Sequence, residues 1–451
     1  MTHKKPILGL NRFEFDESTP MDKDLLQQIT RRQATQGASS VLFYQQPIEM
    51  VSARGSWMTD ISGRRYLDMY NNVPSVGHCH PRVVEAMIKQ ASALNTNTRY
   101  LFPVLENYAE KLLATFPPHL ANVIFTCTGS ESNDVALRMA RMVTGKQGII
   151  VTENAYHGNT TAVMEVSPSG HKQQALPDYV RTIPAPDARM LAPGQTLSDK
   201  FADDVRRAAE WLDNAGYGCA ALLVDTIFSS DGVYADPPGF LAQAVSDIQQ
   251  RGALFIADEV QPGFGRTGSH YWCFQRHAIE PDIVTLGKPM GNGYPMSAVI
   301  TRPSILERFS QETEYFNTFG GNPVAAAVGL SVLQVIQEEE LIANAHHSGE
   351  YLRLRLRDVA SGFAAMSDIR GVGLFNAVEF TDPENGQPDA ELARGVINAL
   401  KQEGVLIGAA GAYGNSLKIR PPLCFSRQDA DYFAEKLLTV LKQLESHKTP
   451  I

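Results

Sequence analysis

The segment "TLGKPMGNGYP" (285–295) sets Lys288 between two glycines at the end of a short apolar run. A lysine in a desolvated turn loses basicity and becomes a nucleophilic amine suited to Schiff-base chemistry. Four further apolar runs end in groups able to do chemistry. "NVIFTCT" leads into Gly129-Ser130-Glu131, "GIIVTE" into Tyr156-His157-Gly158, "ALLV" into Asp225, and "ALFIA" into Asp258-Glu259-Val260-Gln261. A T-G-S turn ahead of a helix over 131–143 aims backbone N–H groups and the positive end of the helix dipole at an anion, which suits a phosphate. Asp258, at the end of a buried strand, needs a cationic partner. Tyr156 offers a flat ring. A phosphate, a basic ring nitrogen, a flat face and an aldehyde for lysine occur together in pyridoxal 5'-phosphate, the cofactor this set of residues leads us to expect.

These groups meet only if the runs are strands of one sheet. Val205, Ala208, Ala209 and Leu212 keep helical spacing, Gly216 stops the helix, and "CAALLVD" follows as a buried strand. Leu241, Ala244, Val245 and Ile248 repeat the pattern, with Gly252 as the stop and "ALFIAD" as the strand. Alternation of this kind predicts an α/β fold: a large domain with a mostly parallel sheet and helices on both faces, its chemistry in the crevice beyond the carboxyl ends of the strands. The stretch 183–197, with three prolines, reads as a surface loop. From about residue 331 longer helices alternate with short strands such as "GVLIG" and "LKIR", and Ser426 and Asp429 have the spacing of a helix cap. We expect a large cofactor-binding domain over 60–330 and a smaller α+β domain formed by 1–59 and 331–451.

Composition narrows the partners. The chain has 451 residues, 43% hydrophobic and 20% charged, as in ordinary globular proteins. A net charge of −9 and the lack of a long basic run argue against nucleic acid. The five cysteines lie far apart, without a C-x-x-C pair, so neither a disulfide framework nor a zinc knuckle is indicated. No apolar stretch is long enough for an export or membrane segment. The expectation is a cytoplasmic enzyme acting on small molecules, with no membrane partner.

Here the motifs become specific. "ADEVQPGFGRTG", "TLGKPMGNGYP", "YHG", "TGSES", "YFNTFGGNP" and "GHCHP" resemble, in matching order from about residue 50 to 425, the class III aminotransferases, pyridoxal-phosphate enzymes of fold type I. The resemblance implies that Lys288 carries the cofactor and that Asp258 pairs with its ring nitrogen. It also implies that Gln261 lies near the ring hydroxyl and that Tyr156 stacks on the ring, with His157 and Asp225 among the cofactor contacts. Gly129 and Ser130 would hold the phosphate, and Thr318 would reach it from the second subunit of a homodimer. Within the family, "YNNVPSVGHCHP", "RYLFP", "EYFNTFGGNPV" and "PPLCFS" look most like the branch with phosphoethanolamine and phosphohydroxylysine phospho-lyases. Asp225 stands where the commoner pattern has Glu, and Ser230 where several 2-oxoglutarate-using relatives place a glutamate that gates an active-site arginine. The matching arginine, Arg420, is present as the expected substrate-binding residue, left available by Ser230. The main reading is an aminotransferase that moves an amino group from an amine or amino acid to a keto acid such as pyruvate; the alternative is elimination of phosphate from a phosphorylated amine.

Three other motifs are set aside. "GFGRTG" (263–268) fits G-x-G-x-x-G, but "DEVQP" separates it from the strand and no small-residue helix follows, which excludes a nicotinamide site. His78, Cys79 and His80 are adjacent residues that rarely face one ion, so no metal is expected. Pro289 follows Lys288 where a P-loop needs Ser or Thr.

Overall fold

The computed structural model describes residues 7–15, 21–171 and 175–448; residues 1–6, 16–20 and 449–451, which the small-domain expectation includes, lie outside the described residues. Seven strands form the main sheet: β4 (Asn122–Thr126), β5 (Gly148–Thr152), β6 (Val180–Ile183), β7 (Cys219–Val224), β8 (Leu254–Asp258), β9 (Ile283–Leu286) and β10 (Ser297–Thr301). They follow β1 (Met50–Arg54), β2 (Trp57–Asp60) and β3 (Arg65–Asp68) in the chain. The order across the sheet is β4-β10-β9-β8-β7-β5-β6, parallel except for β10, which runs antiparallel to both β4 and β9.

Every residue of β5, β7, β9 and β10 is buried. That is the signature of strands covered on both faces. Ile149, Val151, Leu223, Ile256 and Ile283 pack under the helix Gly129–Thr144. Their neighbours Ile150, Leu222, Val224, Phe255 and Val284 face the opposite core with the helices Leu197–Asn214 and Ala242–Gln250. Alternate residues thus feed alternate cores, and each fully buried aliphatic side chain contributes roughly 1.5–3 kcal/mol.

The sequence reading missed β6 and β10. Only residues 287–296 lie between β9 and β10, too few for a crossover helix, so β10 must return antiparallel. The proline-rich stretch after β6 is irregular apart from one short turn, Ala188–Met190.

Two small four-stranded sheets complete the chain. In one, β13 (Val405–Leu406) joins β3 in parallel, beside β1 and β2. The other is antiparallel, with β11 (Met366–Val372), β12 (Phe375–Phe380), β15 (Ser416–Ile419) and β14 (Gly408–Ala410) side by side. The Ser426/Asp429 cap forms: Asp429 N donates to Ser426 Oγ at 3.1 Å, and Ser426 N to Asp429 Oδ2 at 2.9 Å. Asp429 also accepts from Trp57 Nε1 at 2.9 Å, tying the first small sheet to the last helix, Arg427–Lys448.

Candidate active site

The parallel register sets Asp258, the last residue of β8, opposite Thr285 of β9, and Lys288 follows three residues later. A cavity of about 490 Å³ opens there. Its walls carry Gly129, Ser130, Tyr156, His157, Asp225, Asp258, Gln261 and Lys288, eight of the ten residues singled out by sequence. A second cavity, of about 460 Å³ near Arg12 and Arg394, holds none of them.

Lys288 opens a short helical turn, Lys288–Gly291, with a backbone φ of 25°, a region that non-glycine residues seldom occupy. The turn is clamped at its far end, because Asn292 accepts from Val76 N at 3.0 Å and donates to Gly77 O at 2.9 Å. This gives "GHCHP" a structural task. His78 bonds Asp68 at 2.7 Å and His80 bonds Glu339 at 3.0 Å, each with its own carboxylate and no common centre. The Lys288 side chain is open to the cavity, yet the surrounding protein lowers its pKa, by desolvation first and by the Arg420 cation second; Asp258 and Asp225 oppose the shift.

Asp258 is buried and held on both oxygens. Oδ2 bonds His157 Nδ1 at 2.7 Å and accepts from Asn133 Nδ2 at 3.0 Å; Oδ1 accepts from Val260 N at 3.1 Å. His157 thus occupies one side of the carboxylate, and the cationic partner expected from sequence, the cofactor ring nitrogen, remains the proposed one. Asn133 is itself fixed, donating to His157 O at 2.8 Å and accepting from Thr285 Oγ1 at 2.7 Å. Sequence reading missed Asn133 and Thr285, though Asn133, beside Ser132 on the buried face of the helix Gly129–Thr144, whose other buried residues are apolar, was a usable signal.

That helix starts where a phosphate site was expected. Thr128 caps it, with Glu131 N donating to Thr128 Oγ1 at 3.2 Å and Glu131 reaching back to Cys127 N at 2.6 Å. The backbone segments around it are tightly closed: a Cβ on Gly129 would meet Val260 at 3.0 Å, and one on Gly158 would meet Ser130 Oγ at 2.5 Å. Ser130 Oγ accepts from Asn159 N at 3.1 Å. Tyr156 is half-buried on the cavity wall. Asp225 accepts from Ile227 N at 3.0 Å and Ser229 N at 3.1 Å; burial raises its pKa, Asp258 adds to the rise, and the Ser229 and Ile227 donors oppose it.

Arg420 and Thr318 stand apart from the lining. Thr318 is exposed on the segment between the helices Pro303–Glu312 and Pro323–Glu338. Arg420, just past β15, reaches the cavity through Gln261, whose Oε1 accepts from its Nη1. Its Nε donates to Tyr70 O at 2.8 Å, and its guanidinium lies 4.7 Å over the Tyr70 ring. Ser230 does not face it: that residue is buried outside the cavity lining, its carbonyl accepting from Asn154 Nδ2 at 2.5 Å. Among the described residues no carboxylate pairs with Arg420, and the partner it has is the neutral amide of Gln261.

The residues present fit pyridoxal phosphate. They offer a capped helix N-terminus for its phosphate, an amine of lowered basicity for its aldehyde, and a carboxylate fixed by three donors for its ring nitrogen. Fold and site together define a pyridoxal-phosphate enzyme of fold type I. The chain matches the family described as "Aminotransferase class-III" over residues 41–441. It is 40% identical over 410 residues to the alanine–glyoxylate aminotransferase 2-like protein of Drosophila melanogaster, covering 88% of this chain and 83% of that one. It is 39% identical over 421 residues to the ethanolamine-phosphate phospho-lyase homolog 1 of Caenorhabditis elegans, covering 89% and 90%. A solved phospholyase from Arthrobacter, in complex with phosphoethanolamine, superposes with a TM-score of 0.89 at 40% identity, covering 94% of this chain and all of the other. The chain belongs to the class III aminotransferase family.

Proposed function

We propose that this enzyme moves an amino group from an amine or amino acid to a keto acid such as pyruvate, with Lys288 and Asp258 as its catalytic residues. The observation that carries the reading is the single cavity that joins Lys288 to the His157–Asp258–Asn133 network. Bound there, pyridoxal phosphate supplies an electron sink for charge developing at the substrate Cα. The lowered basicity of Lys288 favours its unprotonated amine, the form able to take a proton from the substrate Cα and to give one back. Asp258, locked by His157 and Asn133, would keep the ring nitrogen protonated. Gly129 and Ser130 would hold the phosphate, Tyr156 would lie against the ring, and Arg420 would receive the anionic group of the substrate. Amino-group transfer is the activity that the Drosophila relative's name carries.

A second reading, elimination of phosphate to give an aldehyde and ammonia, draws on the Arthrobacter structure and the Caenorhabditis relative. The test is a panel of amines and phospho-amines with and without pyruvate or 2-oxoglutarate. Keto-acid consumption upholds transfer, whereas phosphate release without an acceptor upholds elimination.

The working unit in this reading is a homodimer acting in the cytoplasm. Support comes from exposed apolar side chains on two segments, Tyr100 and Leu101 (89% exposed) on one and Phe316 and Phe319 (70% exposed) on the other, which come together where the Arg99 guanidinium lies 4.2 Å over the Phe316 ring. A second copy covering this patch would bring the partner's Thr318 to the site. Light scattering at assay concentration is expected to give twice the chain mass, and a fully active monomer would sink the proposal. For the location, support comes from five cysteines that are all free.

A further inference from the structure

Thr318 is exposed and lies outside the cavity of its own chain, yet the turn that carries it is tied to that cavity from both sides. On one side, Asn317 Oδ1 accepts from Phe319 N at 3.1 Å and Gly320 N at 2.8 Å, an Asx turn closed around Thr318. The Cys127 thiol donates to the same oxygen at 3.8 Å. On the other side, Asn322 Nδ2 donates to Phe319 O at 2.7 Å, and Asn322 Oδ1 accepts from the Tyr294 hydroxyl at 3.3 Å. Cys127 and Tyr294 both line the cavity.

Between the two asparagines the chain leans on β4, an edge strand of the main sheet. A Cβ on Gly320 would meet Phe125 O at 2.2 Å, and one on Gly321, whose φ is 71°, would lie 3.1 Å from Phe125 Cβ. Only glycines let the turn come so near, and two in succession leave its tip with wide backbone freedom. Asn317 removes that freedom, because one side-chain oxygen closes the turn and keys it to Cys127. Cys127 is fixed in turn, its backbone N donating to Glu131 Oε2 at 2.6 Å beside the start of the helix Gly129–Thr144. The end of β4 thus leads into the phosphate cradle of its own cavity and also holds, on its flank, the turn with the exposed Thr318.

We propose that Asn317 is the positioning residue that presents Thr318 to the second subunit, where the Thr318 hydroxyl bonds the cofactor phosphate. The proposal rests on the homodimer reading and names the side chain that keeps an exposed threonine in one orientation. A hydroxyl already held in place donates to the phosphate without the entropic cost of ordering its turn at that moment. β4 then serves two phosphates, that of its own cavity through Gly129 and that of the other subunit through Asn317.

The test uses the holoenzyme in phosphate-free buffer, with release of pyridoxal phosphate followed by absorbance and the bound phosphate followed by its phosphorus NMR resonance. Thr318→Ala and Asn317→Ala are each expected to release the cofactor at least about tenfold faster, the loss of one hydrogen bond to a charged group, and to move the resonance in the same direction. The double variant is expected to be no worse than Thr318→Ala alone, because Asn317 acts through Thr318. Asn317→Asp, which keeps the acceptor for Phe319 N and Gly320 N, is expected to restore slow release. Parental release and resonance in Asn317→Ala beside a changed Thr318→Ala overturn the positioning role. Losses that add in the double variant overturn it as well, since they mark Asn317 as a general support of the fold. Parental release in Thr318→Ala, or a holoenzyme that light scattering shows to be monomeric, sinks the homodimer reading and the proposal with it, so the two failures are told apart.

Discussion

Asp258 and Lys288 reach the cavity from β8 and β9, neighbours in space and consecutive in the chain, whereas Arg420 and Tyr70 meet at its other end from 350 positions apart. At the first end the sheet register does the placing: once β8 and β9 pair, both side chains must emerge at the same edge. At the second, two small sheets converge, β3 delivering Tyr70 and β15 delivering Arg420, with Arg420 N bonded to Met69 O at 2.8 Å. In the proposed reading the cofactor end, built from local units, carries the chemistry, and the arginine end, built from distant ones, carries the choice of substrate, which would make it the part best able to differ between relatives that share the same sheet.

Substitution separates the two ends most sharply at Lys288. Lys288→Ala is expected to remove turnover, a loss of at least about 10²–10⁴-fold as for other proton-transfer groups, and to abolish borohydride fixation of the cofactor. Fixation at another lysine would assign the role elsewhere. Asp258→Asn follows, with an expected loss of about 10²–10³-fold in kcat and an intact fold, because a neutral amide cannot hold the ring proton. Asn133→Ala is expected to cost less, about 1–3 kcal/mol of stability from Thr285 and Asp258 left short of a partner, readable as a lower melting temperature. A variant at Asp258 with parental rates would break the assignment of chemistry to this end.

Arg420→Ala is the matching experiment at the other end. Its expected effect is a KM for the keto acid raised about 10–100-fold while the cofactor stays bound, since among the described residues Arg420 reaches the cavity lining through Gln261. Loss of cofactor together with acceptor use would show that the two ends are not separable.

How much was readable in advance follows the same division. The strand runs ending in Gly129, Tyr156, Asp225, Asp258 and Lys288 were legible because a buried parallel strand announces itself by four to six apolar residues and its site lies at its carboxyl end. β10 was not, since "SAVIT" follows a turn too short for a helix and its direction depends on pairing. Asn133 stood out only as a polar residue on the buried face of a helix; nothing in the sequence tied it to the carboxylate it serves 125 positions away. Gln261 was placed at the cavity, but its bond to Arg420 depends on how the small sheets dock, and no local pattern encodes that. Ser230 shows the cost of carrying a position over by resemblance, because the chain turns it away from Arg420 and sets Gln261 there.

The smallest expected effect concerns the acids behind the cofactor end. Asp231 accepts from Thr152 Oγ1 at 2.8 Å and Asn154 N at 3.2 Å, and Glu259 accepts from Cys273 N at 2.9 Å and Phe274 N at 2.8 Å. Burial nevertheless dominates and raises each carboxyl to about 7. An acid whose folded pKa lies above its unfolded value of roughly 4 binds more protons in the folded state across that interval. Its contribution to stability is therefore complete below about pH 4, declines as pH rises through about 7, and is flat beyond. Asp231→Asn copies the protonated form: the amide oxygen still accepts from Asn154 N, and the amide nitrogen donates to the Thr152 hydroxyl. In urea titrations the parent midpoint is expected to fall between about pH 5 and pH 8, and the fall is expected to be smaller in the variant, which should be the more stable protein at the higher pH. Equal slopes in the two proteins would mean that Asp231 stays ionised across the range, its donors from Thr152 and Asn154 outweighing its burial.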